Sequence, residues 1–239
     1  MFDSTEQEIR DRIRQSKEIL SLIERLEGGN SAKLEKEAGE VDIIKIQKGI
    51  FFVSLYSSIE YSLTASSACF LTLLNKHKRR PIEYHKYMLC TILNSEFNSV
   101  RECGKKNLWE KKASFFDTLF SDDLLSIDAS VFPADGINIS DKQIKDVWKF
   151  FNLPGHHLPD NSLRLVLSEV KDHRNAIAHG REKAINIGSR YTLDSLKKKT
   201  QDIESICFLI THDPQPASRA DMASEGLPRL HAPIQQTYS

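Results

Sequence analysis

The stretch DHRNAIAHGREK, residues 172–183, sets an arginine and a histidine five positions apart, with a glycine directly after the histidine. Guanidinium is permanently charged and matches phosphate oxygens with two parallel donors, and imidazole takes up or releases a proton near neutral pH. Those two groups suffice to cleave RNA without a metal. The ribose 2′-hydroxyl attacks its own phosphate, a histidine removes or returns the proton, and an arginine stabilises charge on the five-coordinate phosphorus. Arg174 and His179 are thus the candidate catalytic pair, and Asn175 would hold the histidine ring or a phosphate oxygen through its amide. A plainer reading stays open on spacing alone: cations near a helix C-terminus gain about 0.3–1 kcal/mol from the macrodipole.

The element that must carry these groups is a helix over 161–179, starting after LPD and capped by Asp160 or Asn161. Leu163, Val166, Leu167, Val170 and Ile177 form its core stripe, and Gly180 suits the left-handed position just past its end. At 100° per residue Asn175 and His179 stand one turn apart with Asp172 nearly in line, whereas Arg174 lies about 140° from His179. One helix therefore offers an incomplete pocket. Two copies related by a two-fold axis would face their clusters across one groove, which predicts a composite site in a homodimer.

Around that helix the sequence predicts others at 4–26 with Ser4 as N-cap, 32–75, 81–100, 108–120, 141–152 and 189–211. The second, containing GIFFVSLYSSIEYSLTASSACFLTLL, is nearly all apolar and reads as the central, most buried helix, its small residues allowing close packing. SVFPADGINIS, 130–140, is the one loop with extended character. The expected fold is all-α, a bundle of about five to seven helices spanning residues 1–211, with 212–239 a flexible, proline-containing tail.

The 239 residues are 40% hydrophobic and 28% charged, enough for one sizeable core, and 33 Lys+Arg balance 33 Asp+Glu. A neutral chain must hold an anionic substrate with local patches, and KHKRR (76–80), the lysine pairs at 105–106 and 111–112, and KKK (197–199) are candidates; solvated helix ends are the plainer account of each. Cys69, Cys90, Cys103 and Cys207 lack ligand spacing and are expected to be reduced core thiols. With no run near ~18 apolar residues and a charged start, the protein is expected to be cytoplasmic, away from membranes. His156 and His157 cannot complete a metal shell by themselves and read as loop residues; His77 and His85 have no partners at an informative spacing. His173 faces away from the Asn/His side and is expected exposed or hydrogen-bonded. No phosphate-loop or dinucleotide fingerprint occurs, and the sequence calls for no cofactor.

RNAIAHG resembles the R-N-x-x-x-H motif of the HEPN superfamily, and most of all its MAE-like nucleases. The resemblance extends to an upstream apolar helix with a glutamate, VSLYSSIEYSL, and to the segment GINISDKQIKDVWKFFNLPG, covering roughly residues 5–210. It implies a helical endoribonuclease leaving 2′,3′-cyclic phosphate and 5′-hydroxyl ends, used as a toxin or antiphage effector, with an antitoxin or sensor protein as possible partner. Arg174, Asn175 and His179 match the motif. Glu60 is a further candidate, since a carboxylate in so apolar a helix must be paired or protonated and could hold Arg174 or His179; an ion pair fixing helix register is the alternative. The tyrosine that follows the histidine in one toxin branch is replaced by Gly180 and Arg181. The competing function is a dimerising or RNA-binding module of a defence complex that does not cleave.

Overall fold

The longest apolar stretch of the sequence becomes the axis of the fold. The computed structural model describes residues 2–28, 38–133 and 138–212. Within them α2 (Ala38–Lys76) runs through the middle and packs against α1 (Phe2–Gly28), α7 (Leu163–Ala178), α8 (Ala184–Gly188) and α9 (Leu193–His212). Phe51, Phe52, Leu55, Tyr56, Ile59, Leu63, Phe70 and Leu71 of α2 are almost wholly buried, as expected of a helix apolar on most of its faces. α1 lays Ile9, Ile13, Leu20 and Ile23 on it. A hydroxyl pair, Ser16 and Ser54 at 2.8 Å, satisfies the polar atoms at their crossing.

Two glycines set the closest approach. A Cβ on Gly49 would run into the carbonyl of Ala184, and one on Gly188 into the carbonyl of Lys45, so α8 lies backbone to backbone on α2. The remaining elements are α3 (Lys86–Ile92), α4 (Asn94–Glu102), α5 (Leu108–Leu119) and α6 (Asp141–Phe150). α4 and α5 pair with each other, α3 packs on α6, and α6 meets α7.

The fold is all-α, as expected, with no strand among the described residues. Nine α-helices are seen among the described residues where five to seven were expected, because the predicted 81–100 helix is divided and α8 adds one. Pro81–Glu83 is a single 3₁₀ turn, Tyr84 and His85 are extended, and Leu93 at φ −94°, ψ 24° separates α3 from α4. His85 has a local task after all: its Nδ1 accepts the Tyr87 N–H at 3.3 Å, capping α3. Ser4 lies inside α1 rather than capping it. Of the cysteines, all reduced, only Cys69 and Cys207 are core thiols; Cys103 is half-buried and Cys90 exposed on the outer side of α3. The expected tail lies outside the described residues, apart from its first residue, His212, with which α9 ends.

Candidate active site

The end of α7 is built by a hydrogen-bonded reversal. Gly180, at φ +65°, takes the left-handed conformation, the Arg181 N–H donates to Ala176 O at 2.8 Å, and the Gly180 N–H donates to Ile177 O at 3.0 Å. This pattern satisfies carbonyls that the helix would otherwise leave open. At the other end the N-cap is Ser162, which makes no side-chain cap bond, rather than the expected Asp160 or Asn161; the Asp160 carboxylate accepts the Ser162 N–H at 2.7 Å in the turn that leads into the helix. The core stripe is as read for Leu163, Leu167 and Val170, with Val166 and Ile177 partly buried.

Arg174 is held from four sides. Its Nη1 donates to Asn175 Oδ1 at 2.8 Å and to Asn138 Oδ1 at 3.4 Å, and its Nη2 lies 3.8 Å from Glu60 Oε2. Its guanidinium carbon sits 4.5 Å from the centroid of the Tyr56 ring. Tyr56 is fixed in turn, since its hydroxyl accepts the Ile139 N–H at 2.7 Å. Burial, ahead of the opposing hydrogen bond from Ile139, raises the phenol above its usual range. Glu60 and Tyr56 stand one turn apart on α2, and Asn138 and Ile139 lead into α6. The cluster thus joins three helices, with the guanidinium stacked on an aromatic face and still a quarter exposed.

His179 is the C-cap of α7 and is exposed. Among the described residues no hydrogen bond or ion pair ties its ring to Arg174, Asn175 or Glu60. One expectation changes here and one is narrowed. Asn175 is 9% exposed, not on an open face, and its amide oxygen holds Arg174 rather than the histidine ring. Glu60 pairs loosely with Arg174, not with His179, and with 42% of its side chain exposed it lies at the rim of α2. Tyr56 and Asn138 were missed. The one-turn spacing of Tyr56 to Glu60 was the available signal, and the asparagine of GINIS the other.

His173 is hydrogen-bonded, as anticipated. Its Nε2 is 2.5 Å from the Tyr191 hydroxyl, which donates to Glu169 Oε1, and Lys199 Nζ donates to Glu169 Oε2 at 2.5 Å. Phe52 meets its ring edge-on at 4.8 Å. Burial, only partly offset by the Glu169 carboxylate, holds His173 below the usual histidine range. Burial also raises Glu169, but its bonds to Lys199 and Tyr191 outweigh that and leave it below the usual carboxylate range.

Of the basic runs, KKK is neutralised: Lys197 pairs with Glu24, Lys198 with Asp202 and Lys199 with Glu169. Arg80 pairs with Glu83 and Asp122. Lys105, Lys106 and Lys111 are exposed at the start of α5, and Lys112 lies over the Trp109 ring. His157 binds Asp141 Oδ1 at 2.7 Å, and His156 is exposed in the same loop. No described helix is long and apolar enough to cross a membrane. No protein-family model, curated protein or solved structure matches the chain.

Proposed function

We propose that this chain is a metal-independent endoribonuclease of the HEPN type, cutting RNA to a 2′,3′-cyclic phosphate and a 5′-hydroxyl. The observation that carries the reading is the contrast at the end of α7. Arg174 is clamped by Asn175, Asn138, Glu60 and Tyr56, and His179 one turn beyond Asn175 is open to solvent. A fixed cation costs little reorganisation when charge develops on phosphorus, and an open imidazole is available to a proton in transit. In the reaction the O2′–P bond forms as the P–O5′ bond breaks. The histidine takes the 2′-hydroxyl proton, and a histidine returns one to the departing O5′.

The composite site is part of the same reading. Leu165, 78% exposed, lies on the same outer line of α7 as Asp172 and His179. An apolar side chain so placed suits a face that a second copy covers, bringing a second Arg174–His179 pair to one phosphodiester. A role as toxin or antiphage effector in the cytoplasm, held silent by an antitoxin or sensor protein, follows from the resemblance of the motif.

One observation favours the non-cleaving alternative: two donors of Arg174 already face partners in its own subunit. Cleavage of single-stranded RNA in excess EDTA separates the two. The wild type is expected to give cyclic-phosphate ends and His179→Ala, equally folded, to be slower by about 10²–10⁴. No cleavage by either, or equal cleavage by both, removes the nuclease assignment.

A further inference from the structure

The C-terminal half of α6 borders a cleft of about 300 Å³ lined by Tyr87, Lys145, Trp148, Lys149, Asn152 and His157, with Leu153 and Gly155 at its edge. That volume is at the lower bound for small-molecule pockets. No carboxylate is in the lining. Of the nearby acids, Asp141 is engaged by His157 and Arg164, and Asp146 by Lys142.

The lining is chemically one-sided. Lysine and indole nitrogens donate and never accept. Lys149 Nζ lies 5.1 Å from the Tyr87 ring centroid and Lys86 Nζ 5.5 Å from it, so two ammonium groups meet at one aromatic corner, and Lys145 lines the same cleft. Trp148 is 5% exposed, and its Nε1 is buried without a partner. Asn152 holds the left-handed position at the end of α6, φ 52°, where Leu153 N–H donates to Trp148 O at 2.9 Å. Asparagine is the usual substitute for glycine there. It brings an amide that both donates and accepts beside the carbonyl end of the helix.

We infer that this cleft binds a nucleoside phosphate, with Lys145 and Lys149 on the phosphate and Tyr87, Trp148 and Asn152 around the base. The ligand needs negative charge for the lysines, a flat apolar face for the rings, and a polar edge for the amide; inorganic phosphate has only the first. The nucleotide is either free or one unit of a single strand. α6 rises about 1.5 Å per residue, so Lys145, the first lining residue on it, stands roughly 6 Å along the helix from Asp141, into which Asn138 and Ile139 lead. A strand of a few nucleotides would span the cleft and the Arg174 cluster.

The test uses the full chain carrying Trp109→Phe, which leaves Trp148 as the only indole, and His179→Ala so that no strand is cut. Three probes are titrated: inorganic phosphate, 5′-AMP and a short 2′-O-methyl oligoadenylate. Saturable change in Trp148 emission with 5′-AMP or the oligomer is expected, weakened at least about tenfold, one factor of ten in Kd, by Lys145→Ala/Lys149→Ala. Both lysines are exposed, so that variant should keep its Tm. Tighter binding of the oligomer, with a salt slope that falls by roughly 1.4 in the double variant, at about 0.7 per single-strand phosphate contact, assigns the ligand to an RNA strand. Tighter binding of 5′-AMP assigns it to a free nucleotide. No saturation, an unchanged Kd in the double variant, or phosphate binding as tightly as 5′-AMP overturns the inference. The nuclease reading is separate: binding by a chain that never cleaves leaves the cleft standing, and cleavage without binding removes only the cleft.

Discussion

His173 and His179, six residues apart at the end of one helix, live in opposite chemical conditions. The first has its ring edge against Phe52 and its Nε2 on a tyrosine that is itself bonded to Glu169, which Lys199 completes. The second caps the helix with its ring in solvent and unbonded among the described residues. A histidine whose nitrogen and faces are already spoken for contributes to structure by staying neutral. A histidine that moves protons needs a nitrogen left open and a cation near by to settle the charge that results. Under the proposed nuclease reading Arg174 is that cation, and the hydrogen bonds around it fix the arginine instead of the ring.

The comparison breaks most visibly by exchanging the losses. His179→Ala should cut RNA cleavage by about 10²–10⁴ while leaving the urea midpoint unchanged, because the side chain is exposed and has no hydrogen bond or ion pair among the described residues. His173→Ala should do the reverse, costing about 1–3 kcal/mol of stability through the lost hydrogen bond to Tyr191 and the emptied contact with Phe52, with cleavage near wild type. Initial rates and urea unfolding on both variants check it. If His173→Ala abolishes cleavage in a folded protein, the roles given to the two rings are wrong.

A smaller effect tests whether the closed network is one unit. Tyr191→Phe deletes the hydroxyl that links His173 to Glu169 but keeps the ring against Phe52. The expected cost is about 1–2 kcal/mol in urea unfolding, as for a hydrogen bond to a charged group. Combined with His173→Ala the losses should fall short of additive, since both remove the same bond. Strict additivity would mean that the tyrosine and histidine act independently.

The reach of sequence follows from how far apart the partners are. The end of α7 was legible because it is local: the arginine, asparagine, histidine and glycine that shape it lie within seven residues. The long apolar α2 was legible for the same reason. The clamp on Arg174 was not, because Tyr56 and Asn138 reach it from α2 and from the lead into α6, and no spacing announces a tertiary contact. KKK looked like a patch because two of its three carboxylates, Glu24 and Glu169, lie elsewhere in the chain, and only Asp202 stands within a turn of it. α8 has only five residues, too few to show a period, and is held by the glycine contacts with α2. The division at Leu93 left the apolar spacing of 81–100 intact, so periodicity ran straight across it.

Acidification sharpens the contrast from the other side. His173 binds its proton more weakly folded than at its ordinary 6.5, chiefly through burial. The unfolded chain therefore takes up a proton that the folded chain refuses as pH drops below that value. The stability from neutral His173 is complete above 6.5 and is lost as pH falls through the lowered folded value. Glu169, also depressed, adds a loss only below its ordinary 4.5. Tm should thus decline as pH falls below 6.5. His173→Gln, which cannot titrate, should flatten that portion of the curve and leave the steeper loss at lower pH. An unaltered slope would show that His173 is not the titrating group.

Glu60→Gln should have the smallest effect and is the finest test of what fixes the arginine. The carboxylate is 3.8 Å from Arg174 Nη2, with 42% and 25% of the two side chains exposed. Water screens such a pair, and pairs of this kind contribute about 0–1 kcal/mol. Glutamine keeps the shape and an acceptor oxygen, while Asn175 and the Tyr56 face still hold the guanidinium. Cleavage should drop no more than about fivefold, and the difference from wild type should shrink as salt is raised. A loss beyond a hundredfold that salt does not alter would move Glu60 into the chemistry. The open ring of His179 would then no longer be the group that distinguishes this end of α7, and the proton would have to be traced through the carboxylate instead.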